Sequence, residues 1–199
     1  MNIDMEKWYY IEEEKEDSTY RFILGEKGEN PLVVFGINPS TATPEKLDKT
    51  MRVVKRLVEL DDNNYDGYIM LNLYPQRTTD PDGLHSEKSE YAYKKNLEVV
   101  GNCIKELVRD SKSVDIWAAW GGNIDRRNYL LKSLEAIEKI LRPYSVRWLE
   151  RGEYKNPHHP LYLKKTLPFK EFDVVDYINK KRTIYKSISL SGMDFLCSF

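Results

Sequence analysis

Residues 31–43 read PLVVFGINPSTAT. From Leu32 to Ile37 every position is apolar or glycine, with no polar residue in alternation. A strand with one wet face alternates, so this run belongs to a strand covered on both faces, as in a parallel sheet packed under helices. It breaks at Asn38-Pro39-Ser40-Thr41, where Asn before Pro favours a turn. Open α/β sheets bind their ligands beyond the carboxyl ends of the strands. Asn38 therefore has two readings of equal weight, a turn former or a polar group held up to a ligand.

The flanking sequence repeats the pattern. Tyr20 to Leu24 alternates as a strand at a sheet edge, and Gly67 to Leu73, Ser113 to Trp117 and Tyr144 to Leu149 read as further strands. Between them, Met51, Val54 and Val58 fall at helical spacing over Lys49 to Leu60. Tyr93, Leu97, Val100, Ile104 and Leu107 form a second stripe, and Leu130, Leu134, Ile137 and Leu141 a third, closed by Pro143. Phe172, Val175 and Ile178 begin a closing helix, and the tail from Lys180 carries no clear pattern. Strands alternating with helices predict an α/β fold, a three-layer α/β/α sandwich around a mostly parallel four-stranded sheet. Residues 1–199 read as a single domain with its core at about 20–180. Trp8, Tyr9 and Tyr10 read as a segment docked on that core.

Composition narrows the functions. Lys and Arg total 31 against 32 Asp and Glu, a net charge of −1, so the chain carries no bulk electrostatic footprint for nucleic acid. Cys103 and Cys197 have no second Cys or His at metal-ligand spacing, which argues against a zinc site and for structural thiols in a reducing, cytoplasmic setting. The acidic start is unlike a signal peptide, and no apolar stretch approaches the roughly 18 residues of a membrane span. Gly121-Gly122 follows a strand, yet no G-x-G-x-x-G or G-x-x-x-x-G-K-S/T is present, so no cofactor is expected. Lys180-Lys181-Arg182 reads as a solvated face, or less often as a phosphate-contact rim.

The residues just past the strands are Asn38 to Thr41, Asn72, Trp120 to Asn123, and Asn156 to His159. Amides and an imidazole dominate, and no carboxylate sits at a strand end, which disfavours a metal site or a glycosidase-like acid pair. Asn72 is the hardest to dismiss. An amide inside a run of Ile, Met and Leu needs partners or costs about 1–3 kcal/mol. It either bonds a neighbouring loop or selects a ligand bearing both a donor and an acceptor. His158-His159 has the plainer reading of an exposed loop pair.

Five stretches, VVFGINPSTAT, the Asp48-Lys49-Thr50 triplet, YIMLNLYPQRTTDP, VDIWAAWGG and HPLYL, resemble a mainly bacterial family, domain of unknown function 1643, over roughly residues 20 to 165. Where that family has a first histidine in its late motif, this chain has Asn156, so no role carries over to that position. A more distant resemblance is to the uracil-DNA glycosylases, notably their mismatch-specific branch. Gly36-Ile37-Asn38-Pro39 is similar to a G-I-N-P-G motif, Ile69-Met70-Leu71-Asn72 to a strand ending in a base-reading asparagine, Ile116 to Gly121 to a strand entering W-G, and His159-Pro160 to part of a late H-P-S-P loop.

That resemblance implies a chemistry. A base flipped into a pocket would be read by Asn72. Asn38 would position the attacking water, and His159 would donate a hydrogen bond to the base carbonyl as charge grows there. The Pro39-Ser40-Thr41 turn would hold a phosphate or the base, Tyr74 would stack, and Gly36, Ile37, Trp120, Gly121 and Pro160 would line the pocket. Ser40 stands where the mismatch-specific enzymes have glycine, and Leu161 or Tyr162 where they carry a DNA-wedging leucine. The partner implied is DNA or a nucleobase-containing small molecule. The alternatives are a base-binding module without catalysis, or an enzyme of free nucleosides or nucleotides.

Overall fold

A computed structural model describes residues 4–16, 18–110, 113–152, 155–164 and 167–194. Seven strands form one sheet: β1 (Trp8–Lys15), β2 (Ser18–Glu26), β3 (Pro31–Gly36), β4 (Gly67–Asn72), β5 (Val114–Ala118), β6 (Val146–Arg151) and β7 (Phe169–Glu171), in the order β1-β2-β4-β3-β5-β6-β7. β3 pairs parallel with both β4 and β5, and β5 pairs parallel with β6. β1, β2 and β7 add antiparallel pairings at the two sides. The α/β class holds, but the expected four-stranded sheet is too small. The aromatic start is itself a strand, and β7 is a three-residue strand between the last expected strand and the closing helix. β2 lies inside the sheet, between β1 and β4.

Helix α1 (Lys49–Glu59) covers one face through Met51, Val54, Leu57 and Val58, packed with Leu32, Val34, Tyr68, Met70 and Trp117. Helices α2 (Glu90–Asp110), α3 (Asn128–Leu141) and α4 (Val174–Asp194) cover the other, around Val33, Phe35, Ile69, Leu71 and Ile116. β3 and β4 are buried at every residue, as unalternating runs require. α4 runs far past Lys180, and its inner stripe is Val174, Tyr177, Ile178 and Lys181 rather than Phe172, Val175 and Ile178. Lys181 is no solvated cation. It is 3% exposed and both oxygens of Asp125 accept from its ammonium at 2.7 Å. Cys103 is buried, and burial pushes its thiol up to about 12, an inert structural group. Cys197 lies outside the described residues. No helix among the described residues is long and apolar enough to cross a membrane.

The β1–β2 ladder carries one irregularity. Ile11 pairs with Ile23 but Glu12 pairs with Arg21, so Phe22 is an extra residue in β2. Strand side chains alternate between faces, and a bulge reverses the alternation beyond it. Ile23 and Phe22 thus both enter the core under α2 and α3, while Leu24 on one side of the bulge lies in the core under α1. Arg21, on the other side of it, is aimed onto the α1 face, where its Nη1 donates to the Ala42 carbonyl at 2.7 Å.

Candidate functional site

A cleft of about 740 Å³ opens at the carboxyl ends of the parallel strands, over the α1 face of the sheet. Gly36, Ile37, Asn38 and Ser40 line it from the end of β3, Met70 from β4, Trp120 to Asn123 from beyond β5, and Asn156 to His159 from beyond β6. The strand ends therefore converge, as a parallel sheet requires. Leu161 and Tyr162 form part of the rim, with Tyr162 78% exposed and its ring 5.8 Å from that of His159.

Asn38 is half-buried, and its Nδ2 donates to the carbonyls of Pro39 and Thr78, both at 3.0 Å. Carbonyls only accept, so the atom facing them must be the nitrogen. The turn-forming reading holds for the nitrogen of Asn38. The nitrogen ties the β3 turn to residues 76–78, and Oδ1, with no partner among the described residues, is left as a fixed acceptor.

Asn72 is 1% exposed, and neither Nδ2 nor Oδ1 has a hydrogen-bond partner. Its backbone carbonyl is taken by Asn96 at 2.9 Å. In register with it across the β3–β4 pairing is Gly36. A Cβ on Gly36 would fall 2.6 Å from Met70 Cε and 2.9 Å from Asn72 Oδ1. The missing side chain leaves one corner shared by the cleft floor, the Met70 methyl and the orphaned amide. Met70, flexible and unbranched, lines the cleft and stands between it and Asn72, which does not line it.

His159 is placed by a glycine. Gly121 has φ +66 and donates its N–H to Pro157 at 2.8 Å, and a Cβ there would stand 3.1 Å from His159 Cβ. Only glycine lets the 157–159 backbone approach so closely at that φ. Burial lowers the His159 pKa, opposed by the charge of Asp48. Its Nδ1 faces the Leu161 N–H at 3.4 Å, so in the neutral ring the proton sits on Nε2. The ring is a neutral donor.

Five expected residues do not line the cleft: Asn72, which sits beneath its floor behind Met70 and Gly36, and four others. Tyr74 is fully buried beside Tyr129, and its hydroxyl meets His85 Nδ1 at 3.0 Å and accepts from the Ser89 N–H at 2.8 Å. Pro39 is buried and its carbonyl accepts from Asn38, Thr41 is exposed, and Pro160 is buried. Trp120 touches the cleft, but its ring is built into an aromatic cluster, edge-on to Trp148 at 6.0 Å and Phe172 at 5.9 Å.

Strand-end reasoning misses several lining residues, Asp48 and Arg21 among them. Asp48 caps α1, its Oδ1 accepting from the Met51 N–H at 2.9 Å, and among the described residues it is the one carboxylate that lines the cleft. Its signal was the Asp48-Lys49-Thr50 triplet, which also supplies Thr50 to the lining. Arg21 is 2% exposed, lines the cleft and makes no ion pair among the described residues. Burial, and then the nearby charge of Arg77, push its pKa down to about 10, so it remains a cation at neutral pH. Among the described residues no group of His, Cys, Asp and Glu is arranged to hold a metal.

The cleft coincides with the part of the chain that a family model recognises. Residues 21–161 fit the family described as protein of unknown function DUF1643. The chain belongs to that family. The matched segment begins at Arg21 and ends at Leu161, so it takes in nearly every residue that lines the cleft. No curated protein and no solved structure matches the chain.

Proposed function

We propose that this DUF1643 chain binds a nucleobase in the cleft and hydrolyses the bond between that base and its sugar, as uracil-DNA glycosylases do. The observation that carries the reading is the Asn72 amide, buried with donor and acceptor both unmet. A buried unsatisfied amide costs about 1–3 kcal/mol. A base edge presenting an acceptor beside a donor would satisfy both atoms at once.

The remaining residues suit the same reaction. Asn38 Oδ1 would accept from the attacking water, and because Nδ2 is anchored, that acceptor needs no reorganisation when the bond breaks. Water adds to the anomeric carbon as the carbon–nitrogen bond breaks, the electron pair leaves with the base, and the proton released from water ends on the base or in solvent. His159 Nε2–H would hydrogen-bond the base carbonyl as negative charge develops there, a task for a neutral donor. Asp48, which lines the same cleft, would supply the carboxylate that an asparagine lacks. Tyr162, at the rim, offers a stacking face in place of the wedging leucine.

Base release from uracil- and modified-base-containing oligonucleotides, and from free nucleosides and nucleotides, tests the proposal. Asn38→Ala is expected to lower the release at least tenfold. No release from any substrate, with binding that still depends on Asn72, would leave a base-binding module, a reading favoured by the use of half the Asn38 amide as a structural tie.

A further inference from the structure

Arg21 is a buried cation with no ion-pair partner among the described residues. The charged and titratable groups facing it are Arg77, Asp48, Tyr10 and Glu12. Glu12 is spent on an ion pair with Arg77, whose Nε also donates to the Ser40 carbonyl at 2.8 Å. Asp48 uses one oxygen to cap α1 and makes no ion pair with Arg21. The Arg21 guanidinium makes a single hydrogen bond, to the Ala42 carbonyl, and its Nε is buried without a partner. Taking an unpaired charge out of water is costly, and proteins retain one where something else completes it. The extra residue in β2 aims this side chain into the cleft rather than toward α2, and bulges are over-represented next to active sites for that reason.

The position says what completes it. Arg21 donates its backbone N–H to Pro75 at 2.9 Å, just beyond the end of β4, so it stands one strand from Asn72 on the same edge of the sheet. Adjacent strands lie about 4.8 Å apart. A guanidinium fork matches the oxygens of a phosphate. We propose that Arg21 is an oxyanion subsite and that the ligand of the cleft carries a terminal phosphate, which makes a free nucleoside monophosphate its occupant in preference to a DNA strand. The phosphodiester of a strand continues into a sugar on each side and follows an outer groove, whereas Arg21 is 2% exposed. A terminal phosphate needs no exit. The nucleoside half of this assignment rests on the base-binding reading, and the anion half does not.

The test uses the full chain and calorimetry with inorganic phosphate, the common nucleosides and their 5′-monophosphates, with Arg21→Gln and Asn72→Ala beside the unmodified protein. One monophosphate is expected to bind at least tenfold tighter than its nucleoside. Arg21→Gln abolishes that preference, and Asn72→Ala weakens both ligands equally. In the unmodified protein, phosphate is expected to raise the melting temperature above that in chloride of equal ionic strength, a readout that survives if Arg21→Gln does not fold. A nucleoside and its monophosphate binding equally well would overturn the subsite while leaving base binding intact. Phosphate binding lost in Arg21→Gln, with no nucleoside bound at all, would uphold the subsite and sink the base reading. An oligonucleotide that binds tightly while every monophosphate binds no better than its nucleoside would overturn the assignment to a free nucleotide.

Discussion

Two arginines reach the same depth on either side of the parallel strands, and their surroundings differ. Arg151, at the end of β6, is 3% exposed, ion-paired to Asp61 and stacked 4.1 Å over the Phe169 ring. Arg21, in β2, is 2% exposed with no carboxylate paired to it among the described residues. Both leave Nε unpartnered, so an orphaned N–H does not tell them apart. The charge balance does: one cation is completed by the fold and the other is held open at a cleft. A buried group whose partner comes from the chain supports structure, and one whose partner is missing points to a ligand.

The largest expected effect breaks the completed side of that contrast. Asp61→Asn leaves Arg151 buried and uncompensated, which should cost about 3–5 kcal/mol in urea unfolding, whereas Arg21→Met, similar in size and neutral, should change the stability of the unliganded protein by less than about 1 kcal/mol. Equal losses in the two variants would make Arg21 a structural residue and end the contrast. Next in size, Asn72→Leu removes an amide that the unliganded fold does not satisfy, so stability should rise by about 1 kcal/mol while discrimination among bases is lost. A variant less stable than the parent would show that Asn72 already has a partner in solution.

The smallest effect is a pH dependence. The folded pKa of His159 lies below its unfolded value, so the unfolded chain takes up the proton first. The stability it contributes is complete above about pH 6.5 and falls as pH drops from there toward the folded pKa. His85 is lowered by burial in the same sense. His159→Gln should therefore flatten the stability profile below about pH 6.5 without removing its slope, and unfolding midpoints between about pH 7 and 5 check it. An unchanged slope would mean that His159 titrates normally and is not held as the neutral donor.

Much of the frame was legible because its signal is local. The short unalternating runs of β3 and β4, bounded by turn residues, read as strands buried on both faces, and the stripe from Met51 to Val58 reads as one face of a helix. Even so, Tyr144 to Leu149 misplaced β6 by two residues, because Arg151 reads as surface until Asp61 is known to meet it. β1 and β7 escaped for a related reason, since a strand of aromatic and acidic residues, or one of three residues, is stabilised by its neighbours more than by its own pattern.

By itself, then, the sequence determined the family, the α/β alternation and the placement of Asn38, Asn72, Trp120 and His159 at strand ends. Period and turn chemistry dictate the alternation and the strand ends, and the family rests on the likeness of whole stretches between residues 21 and 161. Only the tertiary structure decided that Tyr74 turns into the core, that the nitrogen of Asn38 is a tie and its oxygen free, that Asn72 is unmet, and that a one-residue bulge carries Arg21 into the cleft beside Asp48. Each depends on which distant backbone or side chain lies opposite, and pairing partners across a sheet are not written in the spacing along one chain.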